Sequence, residues 1–211
     1  MNFSKIDALH AYKKYYSDRD YERVDLFRKL KTSFDISKVV YPGCYIHVSP
    51  SFIFPNVVYI DSDKKAINYF RHNQLIELVS ERKEYPEDPI ITFHGIDYRE
   101  LIQEYRLNFD LLISQYAGFI SDTCKPYLKI GGYLLVNNSH ADAGLASIDE
   151  DYKLISTVHR SKGKHRLSNT HLGEYFIPKK DITVKKELLK ERMRGIGYTK
   201  TAALYIFQRT S

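Results

Sequence analysis

Five short apolar runs, spaced through the middle of a 211-residue chain, constrain its fold more than any other feature. They are Val39-Val40-Tyr41, Val57-Val58-Tyr59-Ile60, Ile90-Ile91-Thr92-Phe93, Asp110-Leu111-Leu112-Ile113 and Tyr133-Leu134-Leu135-Val136. Each is nearly continuous rather than alternating, the pattern of a strand covered on both faces. Helix candidates lie between them at Asp63–Glu81, Tyr98–Tyr105, Phe119–Leu128 and Ala141–Ile148. Successive β-α units of this kind build a parallel, doubly wound sheet with right-handed crossovers.

The two ends complete the expectation. Ile6, Leu9, His10 and Lys13 fall near helical spacing, and a second stretch from Tyr21 reaches Phe34. Tyr152–His159 and Ala202–Arg209 read as a last, antiparallel pair of strands. The fold class is therefore α/β: a doubly wound, mostly parallel seven-stranded sheet with an antiparallel final strand and N-terminal helices. We expect one domain over residues 1–211, with N-terminal helices in 1–36, a core in 37–159 and 201–211, and an insertion at 160–200.

That insertion is where the charge lies. The chain carries +6 overall. Between Arg160 and Lys200 stand 12 Lys or Arg against 4 Asp or Glu, a balance of +8, and the remainder carries −2. Arg160, Lys162, Lys164, His165 and Arg166 make one dense group. Lys185, Lys186, Lys190, Arg192 and Arg194 make another on a helix candidate, Val184–Arg194, with Tyr175, Phe176 and Tyr198 interleaved. Such a stretch reads as a solvated helix with a flexible arm, or as a nucleic-acid groove.

Other classes fall away. No apolar run approaches the roughly 18 residues of a membrane span, and the N-terminal stretch has no h-region, so a cytoplasmic protein without membrane contact is expected. The two cysteines, Cys44 and Cys124, are too few for a zinc site or a disulfide framework, and no His-x-Glu pair occurs.

In an open parallel sheet, ligands bind beyond the carboxyl ends of the strands. Pro42-Gly43-Cys44 follows the first run, Asp61-Ser62-Asp63 the second, His94-Gly95-Ile96-Asp97 the third, Ser114-Gln115-Tyr116 the fourth and Asn137-Asn138-Ser139-His140 the fifth. Gly43 permits a tight turn and close approach of a ligand. Asp61, 18 residues on, is spaced to meet the two hydroxyls of a ribose held over that turn. Asp97 occupies the equivalent place on the third strand. Either aspartate reads alternatively as a helix N-cap. His47, His94 and His140 are candidate bases or solvent-facing residues.

The stretch from Lys38 to Asn138, with the terminal strand pair, resembles the class I S-adenosylmethionine-dependent methyltransferases. Val39 to Cys44 resembles the family's first motif, Tyr59-Ile60-Asp61 the ribose-binding second and Gly95-Ile96-Asp97 the adenine-side third. Phe109 to Tyr116 resembles the substrate-facing fourth, and Leu128-Lys129-Ile130-Gly131-Gly132-Tyr133 the glycine turn into the fifth strand. The resemblance implies S-adenosylmethionine as cofactor, held by Gly43, Cys44, Asp61, Ser62, Ile96, Asp97 and Gln115, and a small-molecule or nucleic-acid methyl acceptor. The chain departs from the pattern at Tyr41, where the family has an acid, at Tyr45 and His47, where it has its second and third glycines, and in lacking Asn/Asp-Pro-Pro-Tyr after the fourth strand. The alternative these departures allow is a non-catalytic binding protein that uses the insertion on an anionic partner. A nicotinamide-binding dehydrogenase would need three glycines in the first turn, where one stands.

Overall fold

A computed structural model describes residues 5–211, so the first four residues of the expected N-terminal segment lie outside it. The chain divides into two compact units, Met1–Glu100 and Leu101–Ser211.

The first unit contains α1 (Lys5–Tyr12), α2 (Val24–Ser33), β1 (Lys38–Pro42), β2 (Asn56–Ile60), α3 (Lys64–Phe70), α4 (Gln74–Arg82) and β3 (Ile90–His94). Both strand pairs are parallel, with β2 central and Val57 opposite Val39 on one side and Ile91 on the other. The single helix expected over Asp63–Glu81 is two. Ala66 and Tyr69 are buried on α3, and Leu75 and Val79 on α4. At about 100° per residue, a continuous helix would point these two pairs to opposite sides. The break at Arg71–Asn73 turns both onto one core.

The β1–β2 connection has no α-helix, only a 3₁₀ turn at Ser49–Phe52, and every residue from Ile46 to Phe54 is buried. The N-terminal segment and α4 cover it. The Tyr12 hydroxyl lies 2.8 Å from Ser49 Oγ, and the Arg82 guanidinium sits 4.2 Å over the Phe52 ring while pairing with Glu22 at 2.6 Å.

The second unit contains β4 (Phe109–Ser114), α5 (Ile120–Thr123), β5 (Leu128–Val136), α6 (Asp142–Ser147), β6 (Tyr152–Ser161), β7 (Lys164–Ser168), α7 (Lys186–Arg192) and β8 (Leu204–Arg209). β4 and β5 are parallel; β8 runs antiparallel between β5 and β6, so the expected terminal pair is present. All seven expected strands form, and β7, antiparallel to β6, adds an eighth from within the insertion.

Three local expectations change. Tyr98–Tyr105 is not a helix but holds a 3₁₀ turn at Gln103–Tyr105, and the Asp97 carboxylate takes the Arg99 amide at 2.9 Å in an Asx turn. Phe119–Leu128 shortens to the single turn of α5 and a 3₁₀ turn carrying Pro126, which lacks an amide donor and disfavours helical backbone at Lys125. The glycine pair does not lead into β5 but interrupts it. The register with β4 jumps from Phe109↔Leu128 to Leu111↔Tyr133, and Gly131 takes φ +84° in the looped-out residues.

Among the described residues no helix is long and apolar enough to cross a membrane, and no group of three or more His, Cys, Asp or Glu is placed to hold a metal ion.

Candidate functional site

The expected nucleotide-side residues of the first unit converge on the carboxyl ends of β1 to β3. Gly43 turns the chain out of β1 with φ +63°, its amide donating to the Ile60 carbonyl at 2.7 Å. Asp61 is half-buried just past β2. Its Oδ2 accepts from the Tyr45 amide at 2.7 Å and its Oδ1 from the Asp63 amide at 2.8 Å. The N-cap of α3 is instead Asp63, which accepts from the Lys65 and Ala66 amides. Asp61 therefore fastens the β1 loop to the β2 loop. Each of its carboxylate oxygens keeps a further lone pair.

Tyr45 stands where the family has its second glycine, yet it takes φ +50°, so the loop keeps a glycine-like backbone at a position where a side chain is strained. The side chains that replace glycine are taken up locally. The Tyr45 ring meets Tyr15 edge-on at 5.6 Å, and His47 stacks on Tyr16 at 4.5 Å. His47 Nε2 donates to the Glu22 carbonyl at 3.2 Å, leaving Nδ1 to accept from the Tyr41 phenol at 3.2 Å. Burial pushes the His47 pKa down to about 3. The first candidate base is thus a neutral packing residue, and Tyr41, at the family's acidic position, is its hydrogen-bond donor.

The remaining candidates take separate places. Cys44 is buried, and burial first, then the Asp61 charge, pushes its thiol pKa up, so it packs rather than reacts. Ser62 is exposed and Ile96 half-buried. Asp97 grips Arg99 in a two-point ion pair that holds its pKa down to about 2. It is not a helix cap, since no α-helix follows it. His94 ends β3, and burial lowers its pKa. A cleft of about 540 Å³ runs beside α3 and β3 between Ile67, Phe70, Arg71, Ile91, Phe93 and Gly95; it contains none of the expected ligand residues.

Gln115 belongs to the second unit and is buried directly after β4. Beside it lies a group that sequence reasoning missed. Asp142, the first residue of α6, is almost wholly inaccessible and accepts from Ser114 Oγ at 2.5 Å, Ser121 Oγ at 2.5 Å and the Ser121 amide at 3.1 Å. Burial raises its pKa to about 6, with the serine bonds acting against that shift. An Asp opening a predicted helix gives no sequence signal of burial, because the same pattern marks an exposed first turn. His140 contacts Ser139 Oγ through Nδ1 at 3.0 Å.

These elements match known proteins at the level of fold. No family model matches the chain, and no curated protein matches it by sequence. Among solved structures, a methyltransferase from Geobacter sulfurreducens superposes with a TM-score of 0.54 at 13% identity, over 97% of this chain and 89% of that one. An rRNA methylase from Streptococcus thermophilus (0.46, 11% identity, 90% and 96% covered) and the spermidine synthase from Thermotoga maritima (0.46, 10%, 90% and 60%) are more distant. The chain has the Rossmann-like fold of the class I S-adenosylmethionine-dependent methyltransferases.

Proposed function

We propose that the chain binds S-adenosylmethionine and acts as a methyltransferase. The observation that carries this reading is Asp61: a half-buried carboxylate beyond the central strand of its unit, relieved of helix capping by Asp63, held by two backbone amides and still able to accept two hydrogen bonds. Two adjacent ribose hydroxyls are the natural donors for such a pair of oxygens. Gly43 and Ser62 flank it, and Ile96 with Asp97 supply an apolar contact and an acceptor on the adenine side. Cys44 contributes through the shape of its turn.

The cofactor would supply an already activated methyl group. The protein's own part is then alignment, and for a protic acceptor a base. His47 is excluded from that part by its burial and its two hydrogen bonds. His94 and His140 remain the histidines placed at strand ends.

Calorimetric titration with S-adenosylhomocysteine tests the reading. Asp61→Ala should weaken binding at least tenfold, since a hydrogen bond to a charged group contributes about 1.5 to 3 kcal/mol. Asp61→Asn, which can keep one amide acceptor, should lose less. Equal affinity in all three proteins would remove Asp61 from the site, and no heat at millimolar ligand would remove the cofactor.

A further inference from the structure

The insertion is not one basic surface but two regions with different fates. Its second half is folded, and three of its cations are held in ion pairs. Leu189, Ile196 and Tyr198 join Ala141 and Leu145 in a buried cluster, and a Cβ on Gly195 would come within 2.8 Å of the Asn138 carbonyl oxygen. On α7, Lys186 and Lys190 both bind Asp122, at 2.5 and 2.7 Å, and Lys200 binds Glu174 at 2.6 Å.

The first half is a bare hairpin. Lys162 and Gly163, with φ +49° and +75°, form the two-residue turn between β6 and β7, a geometry that matches the twist of paired strands. Ser161 faces Lys164 and His159 faces Arg166 across the ladder. Alternation then puts Lys164 and Arg166 on one face, about 6.6 Å apart along the strand, while His165 turns inward and is buried. Lys162, Lys164 and Arg166 are exposed and make no ion pair among the described residues.

We propose that the β6–β7 hairpin is a docking surface for the phosphate backbone of a nucleic acid. Two unpartnered cations on the edge strand, with a third at the turn that leads into it, suit a linear polyanion. Lys164 and Arg166 face Ser161 and His159, and the ring that meets His159, Tyr175, is buried, so this stretch offers no exposed apolar anchor of the kind a protein partner or a bilayer would need. The surface is independent of the cofactor reading: it would bind whether or not methyl transfer occurs.

Fluorescence anisotropy with a labelled 20-nucleotide single-stranded RNA, its DNA counterpart and a duplex, from about 50 to 200 mM salt, tests it. The triple variant Lys162→Glu, Lys164→Glu, Arg166→Glu should lose at least tenfold in affinity at low salt. For a single strand, its log K against log salt slope should flatten by about 2, at roughly 0.7 per phosphate contact. The matched control, Lys180→Glu, Lys185→Glu, Arg192→Glu, makes the same charge change in the other half of the insertion and should lose much less. Thermal melts of both variants should match the parent, since all six residues are exposed. Absence of binding by the parent at 50 mM salt overturns the proposal, and so does an equal loss in the control, which would reduce the effect to net charge.

Discussion

His47 in the first unit and Asp142 in the second are both ionisable, both buried, and both placed beyond the carboxyl end of a strand, yet burial drives them opposite ways. His47 is held neutral between a phenol and a backbone carbonyl, and its pKa falls to about 3. Asp142 is surrounded by two serine hydroxyls and an amide, and its pKa rises to about 6. In each the low-dielectric surroundings disfavour the charged form. The two outcomes differ because losing a proton neutralises the imidazole but charges the carboxyl. A buried ionisable group at a strand end is therefore not by itself a catalytic one. Its neighbours decide, and those of His47 take both of its ring nitrogens.

The pH dependence of stability can break this comparison. An unfolded histidine takes its proton near pH 6.5 while the folded one resists until about 3, so His47 costs stability progressively as pH falls through that window. Between pH 7 and 4.5 the loss should be about 3 kcal/mol. His47→Gln, which can still donate to the Glu22 carbonyl and accept from Tyr41, should remove that loss while weakening the fold somewhat at pH 7. Denaturant unfolding of parent and variant at the two pH values measures the difference. An unchanged acid response would mean that His47 is solvated.

Asp142 should act in the opposite sense and more weakly. Its folded pKa lies above the ordinary 3.8, so the ionised form burdens the fold above pH 6 and the burden lifts as pH falls from about 6 to 4. Between pH 7 and 4.5 the parent should regain about 2 kcal/mol at this site. Asp142→Asn keeps an acceptor for the Ser121 amide, offers a donor to Ser114, and should abolish that gain. Asp142→Ala would leave the Ser114 hydroxyl and the Ser121 amide unpaired and should unfold more easily at every pH. If the asparagine variant still gains on acidification, the raised pKa belongs elsewhere.

How much of this was legible beforehand follows from which forces act locally. The strands announced themselves because burial on both faces demands continuous apolar runs, and the sequence places Val57 to Ile60 within β2. Asp61 was legible as a strand-end carboxylate, but its freedom from capping depended on Asp63 taking the α3 amides, which two adjacent candidate caps leave undecided. The neutral state of His47 was not legible, since it rests on Glu22, Tyr16 and Tyr41. The β6–β7 hairpin had a signal in Lys162-Gly163 followed by alternating Lys164 to Leu167, masked by the density of basic residues around it. The pairing of Lys186 and Lys190 with Asp122, 64 and 68 residues away in sequence, had none.

That last pair yields the smallest expected effect. Asp122 lies between two lysines of α7, and burial works against the drop in its pKa that their hydrogen bonds produce. Its partners are roughly half exposed, so solvent screens the pairs and their removal should cost no more than about 1 kcal/mol. Helix α7 has a stronger tether in Leu189, wholly buried among Ala141, Leu145, Ile196 and Tyr198. Asp122→Asn should therefore lower stability only slightly, and the difference from the parent should vanish near 1 M salt, where the screening length is about 3 Å. At low pH it should vanish as well, because the carboxylate's contribution is lost once it is protonated below the ordinary aspartate range. The variant also frees two cations without touching the hairpin. Its nucleic-acid salt slope should stay at the parent's value if the hairpin is the docking surface, and steepen by about 1.4 if α7 competes for phosphate. Loss of α7 from the fold on this one substitution would show that charge rather than Leu189 holds the helix down.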